Sequence, residues 1–213
     1  MRNVMNLVNL SFNNFIAVKK IALFIIVAFS IASLLNPSFT TMLMGMVTYI
    51  IAYQTMAYED SYGIDYMIAQ LPVTRNEYVI SRYVFCILTI IGAGILCSLI
   101  FFVSKKMNVV DFNGADYKVI LYAGIISALI LVSILIPVLL YFGMKRGRMA
   151  MIFIFMIIVM IPSLFMNDLE LAMNIIDKLR KINISLFSGA FTVGTLMISY
   201  IISRFLYEKK EIR

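Results

Sequence analysis

The sequence contains no histidine, and its eleven acidic residues avoid the middle of every long apolar run. Zinc intramembrane proteases and haem carriers usually depend on imidazole, and proton-coupled transporters normally keep an ionisable group at membrane depth, so these classes are disfavoured. No G-x-x-x-x-G-K-[ST] occurs among the ten glycines. The chain therefore lacks the usual cradle for nucleotide phosphates, and any ATP energy has to come from another polypeptide. Charge itself is scarce: 14% of residues are Asp, Glu, Lys or Arg, against about 25% in ordinary soluble domains. Cysteine is limited to Cys86 and Cys97. They fall on one predicted helix about 16 Å apart, too far for a disulfide within that helix, and read as small packing residues. The start, MRNVMNLVNL, shows neither the early apolar run nor the cleavage site of a secretory signal.

What is present is apolar: 62% of the 213 residues are hydrophobic and the mean hydropathy is +0.97. This composition describes an all-α membrane protein, in which roughly 20 apolar residues span a core about 30 Å thick. Six runs qualify: Ile21 to Leu35, Phe39 to Tyr58, Tyr83 to Val103, Val119 to Phe142, Met149 to Phe165 and Ile184 to Phe205. Loops rich in Lys and Arg stay cytoplasmic. With both termini inside, twelve of the 18 cations (among them Lys19, Lys20, Arg75, Arg82, Lys145, Arg146 and Arg148) are cytoplasmic, and Lys105, Lys106, Lys118, Lys178, Arg180 and Lys181 lie outside. The net charge of +7 thus reads as an orientation signal; the cations form no stripe that would suit a nucleic acid.

The spans follow one another closely, so residues 1–213 form a single transmembrane domain. Before the first span, over residues 1–20, Val4, Met5, Val8, Phe12, Phe15 and Ile16 recur at helical spacing opposite Asn3, Asn6, Asn9, Asn13 and Asn14. That pattern predicts an amphipathic helix lying in the membrane interface. Residues 167–183, NDLELAMNIIDKLRKIN, predict an extracellular amphipathic or re-entrant helix between spans 5 and 6. In span 2, Thr41, Gly45, Thr48, Ala52 and Thr55 keep to one stripe, where small residues allow helices to approach and hydroxyls to bond across. The stripe is a packing interface or cavity wall, facing either another span of this chain or a second protomer. Pro137 predicts a kink in span 4. The 16 methionines supply adaptable apolar surface or simply fill gaps.

One stretch could not rest in lipid: EDSYGIDYMIAQLPVTRNEY, residues 59–78. Thr74-Arg75-Asn76-Glu77 has the form of a capping box, in which threonine and glutamate satisfy each other's free amides at a helix start. Pro72 disfavours helical geometry at Leu71, so a short helix from Ser61 to Gln70 ends there. Aromatic and aliphatic residues (Tyr62, Ile64, Tyr66, Met67 and Leu71) are mixed among the acids, which suggests a surface for a partner protein.

Glu59-Asp60, Leu71-Pro72-Val73-Thr74-Arg75, Glu77-Tyr78-Val79 and Ser81-Arg82-Tyr83 resemble the membrane subunits of ABC type-2 transporters, in particular small bacterial permeases similar to those exporting phenol-soluble modulins. The resemblance implies a dimeric half-transporter of the bacterial cytoplasmic membrane, homo- or heterodimeric, energised by two separate ATPase subunits that hold ATP and Mg. The permease itself is then not an enzyme and carries no cofactor. Residues 59–77 become a cytoplasmic coupling loop, with a coupling helix between spans 2 and 3, and Glu59, Asp60, Asp65, Tyr66, Gln70, Leu71 and Arg75 become the ATPase contacts. Two other classes fit the same features: a drug, lantibiotic-immunity or ion efflux permease of this architecture, and a non-transporting scaffold or sensor that recruits a soluble protein through the same loop.

Overall fold

The structure, a computed structural model, describes residues 2–35, 37–106, 114–165 and 184–209. These are helical apart from short turns: α1 (Arg2–Leu35), α2 (Pro37–Ser61), α3 (Ile64–Ala69), α4 (Arg75–Lys106), α5 (Gly114–Phe165) and α6 (Ile184–Lys209). Among the described residues, three helices are long and apolar enough to cross a membrane: Arg75–Lys106, Tyr117–Met144 and Ser188–Lys209. There are four if the two limbs of α1, Asn3–Lys20 and Ala22–Ser33, are taken as one broken span. Those limbs meet at 71°, where the apolar run of α1 begins. The amphipathic segment 167–183 lies outside the described residues.

Helix α2 continues past Tyr58 to Ser61, so Glu59 and Asp60 are helical. It stops because Gly63 adopts φ 62°, ψ 30° and donates its N–H to the Asp60 carbonyl, a left-handed helix stop that favours glycine. The short helix expected from Ser61 is therefore only Ile64–Ala69. Helix α5 is broken after the fourth predicted span by one residue and not by a loop. The backbone stays helical at Pro137, and the break falls at Gly143, with φ 67° and ψ −178°. Gly147 is folded back onto Leu139: a Cβ on Gly147 would lie 3.6 Å from the Leu139 Cα, whereas eight residues of straight helix span about 12 Å. The two limbs of α5 thus form a hairpin whose corner is a single glycine. Lys145, Arg146 and Arg148, expected in a loop, lie on the helix just after that corner.

The core lies between α2, α4 and α5 and contains Leu43, Met44, Val47, Phe85, Cys86, Ala128, Leu135 and Ile136. Gly45, Thr48, Ala52 and Thr55 are buried in the protomer; the side chain of Thr41 is outside the described set. A Cβ on Gly45 would stand 3.0 Å from Leu131 and 3.2 Å from Ser127 of α5, so here the stripe meets this chain's own helix. The hydroxyls of Thr48 and Thr55 bond within their own helix. Thr48 and Thr55 donate to the carbonyls of Met44 and Ile51, one turn back, at 2.8 Å each. Among the bonds between helices are Tyr–Ser pairs. The Tyr83 hydroxyl lies 2.6 Å from Ser199 Oγ and 2.8 Å from Ser203 Oγ, and Ser199 donates to the Ser133 carbonyl.

Candidate functional site

Residues 59–78 form a helix end, a one-turn helix and a helix start, and both ends of this segment are anchored inward. At the first end, Glu59 is only 2% exposed. Its Oε1 accepts from Arg82 Nη1 at 2.9 Å and from Asn14 Nδ2 at 2.9 Å, while Oε2 pairs with Arg82 Nη2. Arg82, also 2% exposed, donates further to Ser11 Oγ at 2.8 Å and to the Tyr78 hydroxyl at 2.7 Å. A buried guanidinium with a carboxylate in a fork and neutral partners around it joins α1, α2 and α4. Among the described residues, Arg82 Nε is the one buried side-chain N or O atom without a hydrogen bond.

At the second end, Thr74 N donates to Glu77 Oε2 at 3.0 Å and Glu77 N donates to Thr74 Oγ1 at 3.2 Å, forming the expected capping box. Arg75 Nη1 donates to the carbonyls of Tyr207 and Glu208 in the last turn of α6, where unsatisfied carbonyls attract a cation. The Tyr200 hydroxyl bonds Asn76 Oδ1 at 2.6 Å, and the Tyr78 ring packs on that of Tyr207.

Between the anchors the segment is open. Asp60, Tyr62, Tyr66, Met67, Gln70 and Leu71 are exposed, the four apolar or aromatic ones by half or more. Of the seven residues expected to touch a partner, Asp60, Tyr66, Gln70 and Leu71 lie on this outer face. The side chain of Asp65 is outside the described set. Glu59 faces the protein interior, where it supplies the counter-charge that Arg82 requires. Arg75 has an exposed side chain, yet its guanidinium is engaged with α6. Tyr62 and Met67, equally exposed, belong to the face although the resemblance did not single them out.

The residues missed by sequence reading are Arg82, Asn14, Ser11 and Tyr78. In the sequence Arg82 reads as an orientation cation and as part of the Ser81-Arg82-Tyr83 motif, neither of which assigns it a buried acid. A signal was there: one arginine inside the apolar run YVISRYVFC needs a buried partner. Asn14 had been assigned to the watery side of the first limb, but it points at Glu59. The Asp60 carboxylate, for its part, approaches the corner of α5, with Oδ1 3.7 Å from where a Gly143 Cβ would stand.

A bundle of long apolar helices, three or four of them fit to cross a bilayer among the described residues, is a multi-pass membrane protein. A family model described as ABC-2 family transporter protein matches residues 9–208, and the chain belongs to that family. It is the membrane component of an ABC-2 type transporter; such permeases generally lack catalytic activity and generally partner with ABC ATPases. Comparison with curated proteins and with solved structures gives no match.

Proposed function

We propose that the chain is the permease protomer of an exporter in the bacterial cytoplasmic membrane, with six spans and both termini cytoplasmic. Two protomers and two separate ATPase subunits make the working unit. The observation that carries this reading is the braced loop: an exposed aromatic and aliphatic face, Tyr62, Tyr66, Met67 and Leu71, held between two inward anchors. A groove on the ATPase receives this face together with Asp60, Asp65 and Gln70, while Glu59 and Arg75 hold it from behind. Closure of the ATPase pair on ATP moves the loop, and because the loop is tied to α1, α4 and α6, the helices move with it and open the space between protomers to the other side. The cargo is an amphipathic helical peptide similar to phenol-soluble modulins. The motif resemblance supports that choice, as do span interiors without fixed acidic charge.

Two measurements test the reading. Leu71→Asp combined with Tyr66→Ala is expected to abolish co-purification of the ATPase while the variant permease keeps the wild-type thermal midpoint; undiminished co-purification would remove the loop from the contact. Proteoliposomes of the complex are expected to show ATP-dependent transport of such peptides and peptide-stimulated ATPase activity. Absence of both would eliminate this cargo and leave the docking assignment standing.

A further inference from the structure

The inner side of the α1 bend borders an apolar cavity of about 200 Å³. Phe15 lines it from the first limb, Ile26 from the second, Ile51 from α2, and Leu88, Gly92 and Leu96 from α4. Thr89 is the one polar side chain in the lining, and its hydroxyl is bonded to the Cys86 carbonyl at 2.7 Å. For scale, an apolar protein cavity of about 150 Å³ accepts benzene. The cavity opens sideways: Leu88 and Gly92 are exposed, and so are Ile91 and Ile95 beside them.

Its depth follows from α4. That helix ends at Lys105 and Lys106, and a hydrocarbon core of about 30 Å takes up roughly 20 residues counted back from there, to near Phe85. Leu88 to Leu96 then lie roughly 5 to 17 Å inside the boundary nearer the exposed loop, the depth over which an acyl chain of that leaflet runs to the bilayer midplane. Lys19, one helical turn beyond Phe15 on the same face, and Lys20, at the bend, are both exposed. No carboxylate lines the cavity.

We infer that this cavity is a binding site for one anionic phospholipid of the loop-side leaflet. An acyl chain fills the groove between the limbs of α1 and α4, and the phosphate lies against Lys19 and Lys20. The site is independent of the transport reading; it requires only that the protein sits in a bilayer.

The absence of tryptophan from the chain gives a clean reporter. Full-length protein carrying Phe15→Trp is reconstituted in phosphatidylcholine vesicles containing a small fraction of dibrominated phosphatidylglycerol or, separately, dibrominated phosphatidylcholine. Quenching by the anionic lipid is expected to exceed that by the zwitterionic one, by up to about fivefold for each lysine near the surface. The excess disappears when Lys19→Gln and Lys20→Gln are added, and is absent for Ile198→Trp, on an exposed face of α6. Equal quenching by the two lipids at Phe15→Trp, or an excess that survives loss of both lysines, overturns the site. Shielding from both lipids, as a second protomer seated there would produce, also overturns it. Should Phe15→Trp fail to elute as a single species, Leu96→Trp makes the same measurement from the opposite wall.

Discussion

Removing the Glu59 carboxylate while keeping its shape, as Glu59→Gln, leaves the Asn14 and Arg82 Nη1 bonds to Oε1 possible, but the new amide turns its NH2 toward Arg82 Nη2, donor against donor. Arg82 is then a buried cation without a counter-charge, and breaking one partner of such a pair costs about 3 to 5 kcal/mol. Arg82→Met, which strands the carboxylate instead, falls in the same range. Replacing both, Glu59→Leu with Arg82→Met, removes the two charges together, and apolar substitution of a whole buried pair is often close to neutral. What remains unsatisfied is chiefly the Asn14 amide, worth about 1 to 3 kcal/mol, because Ser11 keeps its bond to the Leu7 carbonyl. The double variant is therefore expected to be more stable than either single one. The assay is unfolding of the detergent-solubilised protein in mixed micelles of increasing denaturing-detergent content, followed by far-ultraviolet circular dichroism. Losses that simply add, or single variants indistinguishable from wild type, would refute the view that these two charges are buried together. The same geometry separates the neighbouring acids. Glu59→Lys sets two cations against each other inside the protein and tests folding, whereas Asp60→Lys changes an exposed side chain beside the α5 corner.

Gly143→Ala is expected to lower stability by about 1 to 3 kcal/mol through backbone strain alone, since the nearest atom to the new Cβ is Asp60 Oδ1 at 3.7 Å; a thermal midpoint at the wild-type value would contradict the positive-φ corner. Gly124→Ala puts a methyl group 2.7 Å from Met44 Sδ and 3.3 Å from Met44 Cβ, in a position where the side chain cannot swing clear. A loss of about 1 to 3 kcal/mol is expected from overpacking, while Gly92→Ala, with no atom within 4 Å, shows none; comparing the two midpoints checks the α2–α5 approach. Tyr62→Cys is expected to react with a membrane-impermeant maleimide only from the cytoplasmic side. Cys86 and Cys97, at most 1% exposed, stay silent in the folded protein; labelling of Tyr62→Cys from the cell exterior would overturn the orientation.

The parts of the site that sequence made legible are local. The Thr74–Glu77 box spans four residues, and the stop before Pro72 needs only its neighbours, so both follow from short-range chemistry. The Glu59–Arg82 pair joins residues 23 apart and its Asn14 bond joins residues 45 apart; such partners are chosen by packing, which no periodicity encodes. Pairs of this kind also misdirected the reading of the first limb, whose asparagines looked uniformly watery although Asn14 faces a buried acid and Asn3 bonds Glu77. At Pro137 the backbone stays helical, and the outright break comes six residues later, at a glycine able to take the positive φ. Thr48 and Thr55 were legible as interior residues. Their hydroxyls bond one turn back because the backbone carbonyl is always within reach, whereas a partner on another helix has to be supplied.

The one-glycine corner of α5 contains no spare chain. Tilting the limb that begins at Met144 must swing the limb ending at Phe142, much as the two arms of a bracket turn about one pin. Asp60 Oδ1 lies 3.7 Å from where a Cβ on that glycine would stand, at the head of the exposed loop. The exposed loop and the α5 corner are therefore neighbours, and a change of shape in one is felt by the other.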